Sequence, residues 1–218
     1  MKRIAINGFG RIGRLVFRII EERERQFREQ QKISKIGDKY LNARLATARK
    51  TKSNEKAYQS AINYVNNARE ILKNGIGLYI YGDNSSGKTY LTACICNELV
   101  RAGYTCVFTS IPKLLAETQR RARENGMSQA EIVDTLSRKQ FLFIDDLGKE
   151  FLGDASGWER ARAEKLLLEV LNARYGNGLP TLFTSNYSLE DFATKFGLDK
   201  AILERVNEMS TIVIKLEG

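Results

Sequence analysis

Gly82-Asp83-Asn84-Ser85-Ser86-Gly87-Lys88-Thr89 decides how this chain is read, because it satisfies the phosphate-loop pattern G-x-x-x-x-G-K-[ST]. Leu78–Tyr81 before it is the apolar run of a buried strand, and Tyr90–Val100 after it has the composition of a helix. A strand that enters a glycine-bounded loop and leaves as a helix turns several backbone N–H groups toward one point, at the positive end of the helix dipole. Gly82, Asp83, Asn84, Ser85, Ser86, Gly87, Lys88, Thr89 and Tyr90 are therefore the expected binding set for a polyphosphate. Lys88 would reach the β- and γ-phosphates as a point charge, and the Thr89 hydroxyl would be one ligand of the Mg²⁺ that neutralises them.

From Gly77 onward the pattern alternates strand and helix. Tyr104–Ser110 reads as a strand, Ile111–Lys139 as a largely helical insert, and Gln140–Asp145 (QFLFID) as a strand buried on both faces that ends in an acid. A helix over Gly157–Tyr175, a strand over Pro180–Ser185, short helices near Leu189–Phe196 and Asp199–Glu208, and a last strand over Thr211–Leu216 follow. Five strands with helical crossovers predict one α/β domain, a doubly wound parallel sheet with helices on both faces. Asp145, at the carboxyl end of what reads as a neighbouring strand, would lie across the crevice from the loop and hold the metal with Thr89. Asp146 is then placed as the base or water-orienting group for attack on a γ-phosphate, and Asn186 could reach the same phosphate or water from a third strand end.

The chain carries 35 Lys/Arg against 26 Asp/Glu, a net charge of +9, and the excess is unevenly placed. Residues 1–60 hold 16 basic and 6 acidic side chains, leaving 19 and 20 for the rest. A basic leading part on a neutral body points to contact with nucleic acid or an acidic partner surface. The absence of histidine excludes Ser-His-Asp hydrolysis and histidine-ligated metals. Two of the three cysteines, Cys94 and Cys96, sit two residues apart on the expected helix and cannot face each other, so they read as small buried hydrophobes in a reducing compartment. No apolar run reaches the ~18 residues of a membrane span, and a cytoplasmic location with no membrane partner is expected.

The amino terminus holds a second, competing motif. Lys2–Asn7 alternates like a strand, and Gly8-Phe9-Gly10-Arg11-Ile12-Gly13 is the G-x-G-x-x-G of a dinucleotide site. Residues 1–18 resemble the start of glyceraldehyde-3-phosphate dehydrogenase. That fold needs a second strand with an acidic end about 20 residues on, whereas Glu21–Lys32 (EERERQFREQQK) is a charged, helix-forming run. NAD binding is not expected, and residues 1–20 read as a leader or fusion remnant. Residues 21–50 then form a basic helical arm, with an amphipathic helix over 14–32 that either docks on the body or awaits another protein, and 51–218 form the nucleotide-binding domain. Asn54–Lys73 has helical spacing and stops at Asn74-Gly75.

From about Ile36 to the end the chain resembles the AAA+ domain of the DnaC/DnaI-type bacterial helicase loaders and the related IstB transposition ATPases. The likeness is carried by YIYGDNSSGKTYL (79–91), FLFIDDLGKE (141–150), NARY (172–175), LPTLFTSNY (179–187) and ILERV (202–206). It implies a P-loop ATPase binding ATP or ADP with Mg²⁺, self-associating through its nucleotide sites. Asn186 would be its sensor-1 residue, and Arg205 an arginine finger acting on the neighbouring subunit. A replicative hexameric helicase and single-stranded DNA are the implied partners. In such loaders the insert between the second and third strands lines the DNA channel; here it carries Lys113, Arg120, Arg121, Arg123, Arg138 and Lys139, which suit sequence-blind phosphate contacts.

The sequence departs from the family pattern in three places. Ser85 replaces the usual glycine inside the loop; the sequence stops at Gly218, where family members tend to run on to a sensor-2 arginine; and the helicase-binding domain reads as missing or reduced to the helix around residues 14–32. Weak, assembly-dependent hydrolysis is expected. The rival readings are an IstB-type transposition helper acting on duplex DNA and a nucleotide-locked adaptor with little turnover.

Overall fold

The computed structural model describes residues 11–148, 151 and 157–217. The strand read over Lys2–Asn7 and the first two glycines of the dinucleotide motif lie outside them. The chain opens with α1 (Arg11–Ser34), a 3₁₀ turn at Asp38–Tyr40, α2 (Glu55–Asn66) and α3 (Ala68–Lys73). It continues through β1 (Leu78–Tyr81), α4 (Lys88–Arg101), β2 (Cys106–Thr109), α5 (Ile111–Asn125), α6 (Gln129–Ser137) and β3 (Phe141–Ile144). The closing elements are α7 (Gly157–Gly176), β4 (Thr181–Ser185), α8 (Leu189–Lys195), α9 (Lys200–Met209) and β5 (Ile212–Lys215).

All four strand pairings are parallel, in the order β2-β3-β4-β1-β5. Period-two alternation sends successive residues to opposite layers. Leu78, Ile80, Phe108, Phe141, Phe143 and Leu182 pack with Leu91, Ile95 and Leu99 of α4, while Tyr79, Leu142, Ile144 and Phe183 pack with Leu166, Leu167 and Val170 of α7. Each fully buried Leu, Ile or Phe contributes roughly 1.5–3 kcal/mol, so these two layers hold the sheet between them.

The sheet order corrects one expectation. The acid-tipped strand β3 is not the neighbour of β1; β4 lies between them. Strand order is set by long-range pairing through the crossovers, and no local pattern in the sequence encodes it. The consequence is favourable, because β4 brings Thr184 between the loop and the acids.

Two readings are refined. The helix expected over Asn54–Lys73 divides into α2 and α3 at Asn67, whose backbone leaves the helical region. The insert forms α5 and α6, separated by Gly126 in the left-handed conformation (φ 65°) and a capping box between Ser128 and Glu131. The amphipathic helix over 14–32 forms as part of α1 and docks by its second half. Phe27, Gln31 and Ser34 are buried, and the Arg101 guanidinium lies 3.8 Å from the centre of the Phe27 ring. The first half leaves Leu15, Val16, Phe17 and Ile19 exposed. Ile36, Ala43 and Leu45 of the following segment join the α4 side of the core.

Arg174 is the largest fully buried side chain among the described residues. Its guanidinium donates to Thr181 Oγ1 at 2.9 Å and to the carbonyls of Leu136 (2.7 Å), Lys139 (2.8 Å), Gln140 (3.3 Å) and Pro180 (2.6 Å). One side chain thus ties the end of α6, the entry to β3 and the entry to β4 to the last turn of α7.

Candidate nucleotide-binding site

β1 delivers the chain into the phosphate loop at Gly82. A Cβ there would lie 2.1 Å from the Leu216 carbonyl oxygen, so only glycine fits beside the end of β5. Gly87 (φ 95°) turns the loop into α4, leaving the first N–H groups of that helix without intrahelical partners. Ser85 occupies the left-handed region at φ 65°. A non-glycine residue there stores roughly 1 kcal/mol or more of backbone strain, the physical form of the departure noted in the sequence.

Lys88 is buried and folds back over the loop, donating to the carbonyls of Gly82 (2.8 Å) and Asp83 (2.7 Å). Burial lowers its pKa, and the charges of Asp146, Asp145 and Asp83 oppose that shift. An ammonium held by carbonyls alone lacks a direct anionic partner, which is the arrangement a phosphate would complete. Ser86 Oγ, in the same loop, is buried without a hydrogen-bond partner.

Across the crevice, the Asp145 carboxylate accepts from Thr89 Oγ1 (3.1 and 3.2 Å) and from Thr184 Oγ1 (2.7 Å). Burial raises its pKa, while the Thr184 and Thr89 hydrogen bonds lower it. Thr184 Oγ1 also accepts from the Asp146 backbone N–H at 2.8 Å, and Asp146 takes a left-handed backbone at φ 62°. The Thr89 hydroxyl and Asp145 carboxylate are hard oxygen donors of the kind Mg²⁺ takes. Among the described residues no cluster of three or more acidic, cysteine or histidine side chains could hold a metal alone, so an ion here would draw its other ligands from phosphate and water.

Lys88, Thr89, Asp146, Thr184 and Asn186 line one cavity of about 350 Å³ together with Tyr40, Asn84, Ser85, Gly87 and Tyr90. Gly82, Asp83 and Asn186 also line an adjoining cleft with Ser188, Asp191 and Lys215. The structure therefore brings the loop residues, the acid pair and Asn186 together. Two wall residues were missed in the sequence. Thr184 is an unmarked threonine inside a strand, and Tyr40 is more than forty residues from the loop; neither carries a local signal.

Arg205 is not among the residues that line these spaces. It projects from α9, donates to Asn172 Oδ1 at 2.9 Å, pairs with Glu208, and lies with its guanidinium carbon 4.0 Å from the centre of the Tyr175 ring. Asn172 and Tyr175 belong to the NARY stretch, whose Arg174 is the buried tie. On the insert, Lys113, Arg120, Arg121 and Arg123 lie on α5, and Arg138 and Lys139 follow α6. Arg120 pairs with Glu117 and Glu124, Arg121 with Glu117, and Arg138 with Asp134. Lys113, Arg123 and Lys139 have no ion-pair partner among the described residues. No helix among the described residues is long and apolar enough to cross a membrane.

A five-stranded parallel sheet with the loop after one strand, an acid pair after another and helices on both faces defines a P-loop NTPase of the AAA+ type. Within that class the chain belongs to the IstB-like ATP binding protein family, whose model matches residues 14–217. It is similar to the replicative helicase loader DnaI of Bacillus subtilis, 28% identical over 139 residues, which cover 64% of this chain and 42% of DnaI. The replicative helicase loader DnaC of Escherichia coli is 23% identical over 144 residues, covering 64% of this chain and 56% of DnaC. The chain thus spans about half the length of these curated relatives. A crystal structure of DnaI superposes with a TM-score of 0.65 at 28% identity, covering 84% of this chain and 95% of that one. The replication initiator DnaA, solved with AMPPCP and single-stranded DNA, shares the fold at a TM-score of 0.65 and 18% identity, covering 84% of this chain and 51% of DnaA.

Proposed function

We propose that this chain binds ATP with Mg²⁺ at Gly82–Thr89, Tyr90 and Asp145, hydrolyses it slowly to ADP and phosphate when copies assemble, and uses that cycle to place a replicative hexameric helicase on single-stranded DNA. The observation that carries this reading is the convergence of Lys88, Thr89, Asp145 and Thr184 on one crevice at the mouth of a phosphate loop. The similarity to DnaI and DnaC supports the choice of partner.

The residues divide the work. Backbone N–H groups of the loop and Lys88 hold the phosphates, and Mg²⁺ on Thr89 and Asp145 would neutralise their charge. Asp146 takes the proton of the attacking water as the bond between the γ-phosphorus and the β-bridging oxygen breaks, and Asn186 orients that water. Arg205, held at the surface away from its own cavity, acts on the γ-phosphate of an adjacent copy.

Turnover per molecule is expected to rise with protein concentration, further when single-stranded DNA is added, as assembly completes each site. A steady-state ATPase assay over a range of protein concentrations tests this. Turnover that stays near zero while nucleotide binds would favour the adaptor reading.

The insert should grip DNA through its uncommitted charges. Arg123→Ala and Lys139→Ala are each expected to weaken single-stranded DNA binding and reduce the slope of log affinity against log salt by about 0.7, whereas the Lys113 charge is already felt by Asp145. Arg120→Ala and Arg138→Ala should change it by less than half as much, because those guanidinium groups are already paired. Fluorescence anisotropy across a salt series distinguishes the two sets; equal effects from both would contradict the assignment.

A further inference from the structure

Helix α1 is tied to the nucleotide cavity by two buried amides. Gln31, on the docked half of α1 and 8% exposed, donates from Nε2 to the Leu41 carbonyl at 2.7 Å and to Asn97 Oδ1 at 2.9 Å. Asn97, in the third turn of α4 and 1% exposed, donates from Nδ2 to the carbonyls of Tyr40 (2.8 Å) and Ala43 (3.0 Å). Its oxygen and its amide nitrogen are thus all committed to α1 and to residues 40–43. Its buried neighbours on that face of α4 are apolar, with Ala93, Cys94, Ile95, Cys96 and Leu99 fully buried. A buried carboxamide among such neighbours is costly unless fully bonded, so an apolar side chain would suit α4 better. What the amide supplies is the position of the segment that follows the 3₁₀ turn.

That position matters because of Tyr40. Tyr40 is half-buried and lines the cavity with Gly87, Lys88 and Thr89, where Tyr90 is the other aromatic wall residue, and the Lys39 ammonium lies 4.6 Å from the centre of the Tyr40 ring. Phosphates seated over Lys88 leave the nucleoside as the part of the ligand that can meet these rings. An aromatic face accepts a base by stacking.

We infer that Gln31 and Asn97 are positioning residues for nucleotide binding: with α1 docked, they set the Tyr40 ring against the nucleoside, so nucleotide affinity depends on how α1 is seated. The inference rests on the nucleotide reading above. Tyr40 touches the ligand, and the two amides act through it. Displacing α1 from α4 would free the Leu41 carbonyl and the Asn97 Oδ1 that Gln31 holds and so loosen residues 40–43 at the cavity mouth, although α1 itself contributes no residue to that cavity.

Calorimetric titration of the full chain with two probes tests this: Mg-ADP, which has a base, and Mg-tripolyphosphate, which needs only the phosphate loop. Asn97→Ala is expected to weaken ADP about tenfold, the lower end of what base–aromatic stacking supplies, and to leave tripolyphosphate within about twofold. Tyr40→Ala, a change at the cavity wall that leaves the Asn97 amide its carbonyl partners, should lose the same amount, and the double variant no more than either. Unchanged ADP affinity in both single variants overturns the inference, as does equal loss of both probes or an additive double variant. If Asn97→Ala does not fold, as thermal unfolding without ligand will show, Tyr40→Ala and Gln31→Leu carry the same comparison. A wild-type chain that binds neither probe overturns the nucleotide reading itself, and the inference with it; one that binds both while the variants match it overturns the inference alone.

Discussion

Arg174→Leu is expected to destabilise the chain by about 3 kcal/mol or more, a large part of the roughly 5–15 kcal/mol that holds a domain folded. The substitution keeps an apolar stem on α7 but removes the donors to Thr181 Oγ1 and four carbonyls. Some of those carbonyls keep another donor, such as the Leu142 N–H on Pro180 O at 3.5 Å and the Lys139 N–H on Leu136 O at 3.3 Å. The remainder face a dry interior, and each buried acceptor left unsatisfied costs roughly 1–3 kcal/mol. The loss should also reach the site, because Arg174 anchors the entries to β3 and β4, whose far ends carry Asp145, Thr184 and Ser185. Urea unfolding followed by far-ultraviolet circular dichroism measures it. A midpoint shift no larger than that of the exposed control Arg123→Ala would contradict the tie.

The second large effect belongs to Arg205. Arg205→Ala is expected to leave ATP affinity within about twofold of wild type and to lower assembly-dependent hydrolysis by about 10³-fold, the scale on which an arginine finger acts. Binding is spared because Arg205 is not among the residues lining its own cavity. The rate falls because the guanidinium would stabilise charge developing on a neighbour's γ-phosphate. Asn172, Tyr175 and Glu208 hold the side chain in place, so Tyr175→Ala should give a smaller loss of the same kind. Equal loss of ATP binding in Arg205→Ala would end the assignment of a finger acting between copies.

The fold was legible because its signals are local. The loop pattern, the apolar runs at Leu78–Tyr81 and Phe141–Ile144, and the stop at Asn74-Gly75 each act within a few residues. Strand order was not legible: nothing near β4 says that it inserts between β1 and β3. For the same reason Thr184 went unread, although its hydroxyl joins Asp145 to Asp146. Arg174 did carry a readable signal. It continues the apolar stripe of Ala163, Leu166, Leu167, Val170 and Leu171 on α7, and an arginine on such a stripe must be either misplaced or fully bonded. Tyr40 and Asn97 were beyond local reading, because their relation is made by a contact fifty-seven residues apart.

The central claim is that the Gly82–Thr89 loop, with Asp145 opposite, is a nucleotide–metal site, and one titration tests it most directly. Binding of ATP to wild type and to Lys88→Ala, each with Mg²⁺ and with the metal chelated, should give measurable affinity only in wild type, weakened when Mg²⁺ is removed. Removing the ammonium takes away the cation that the phosphates would bind, and it leaves the Gly82 and Asp83 carbonyls facing them. ATP binding of equal strength in wild type and Lys88→Ala, unaffected by chelation, would contradict the account.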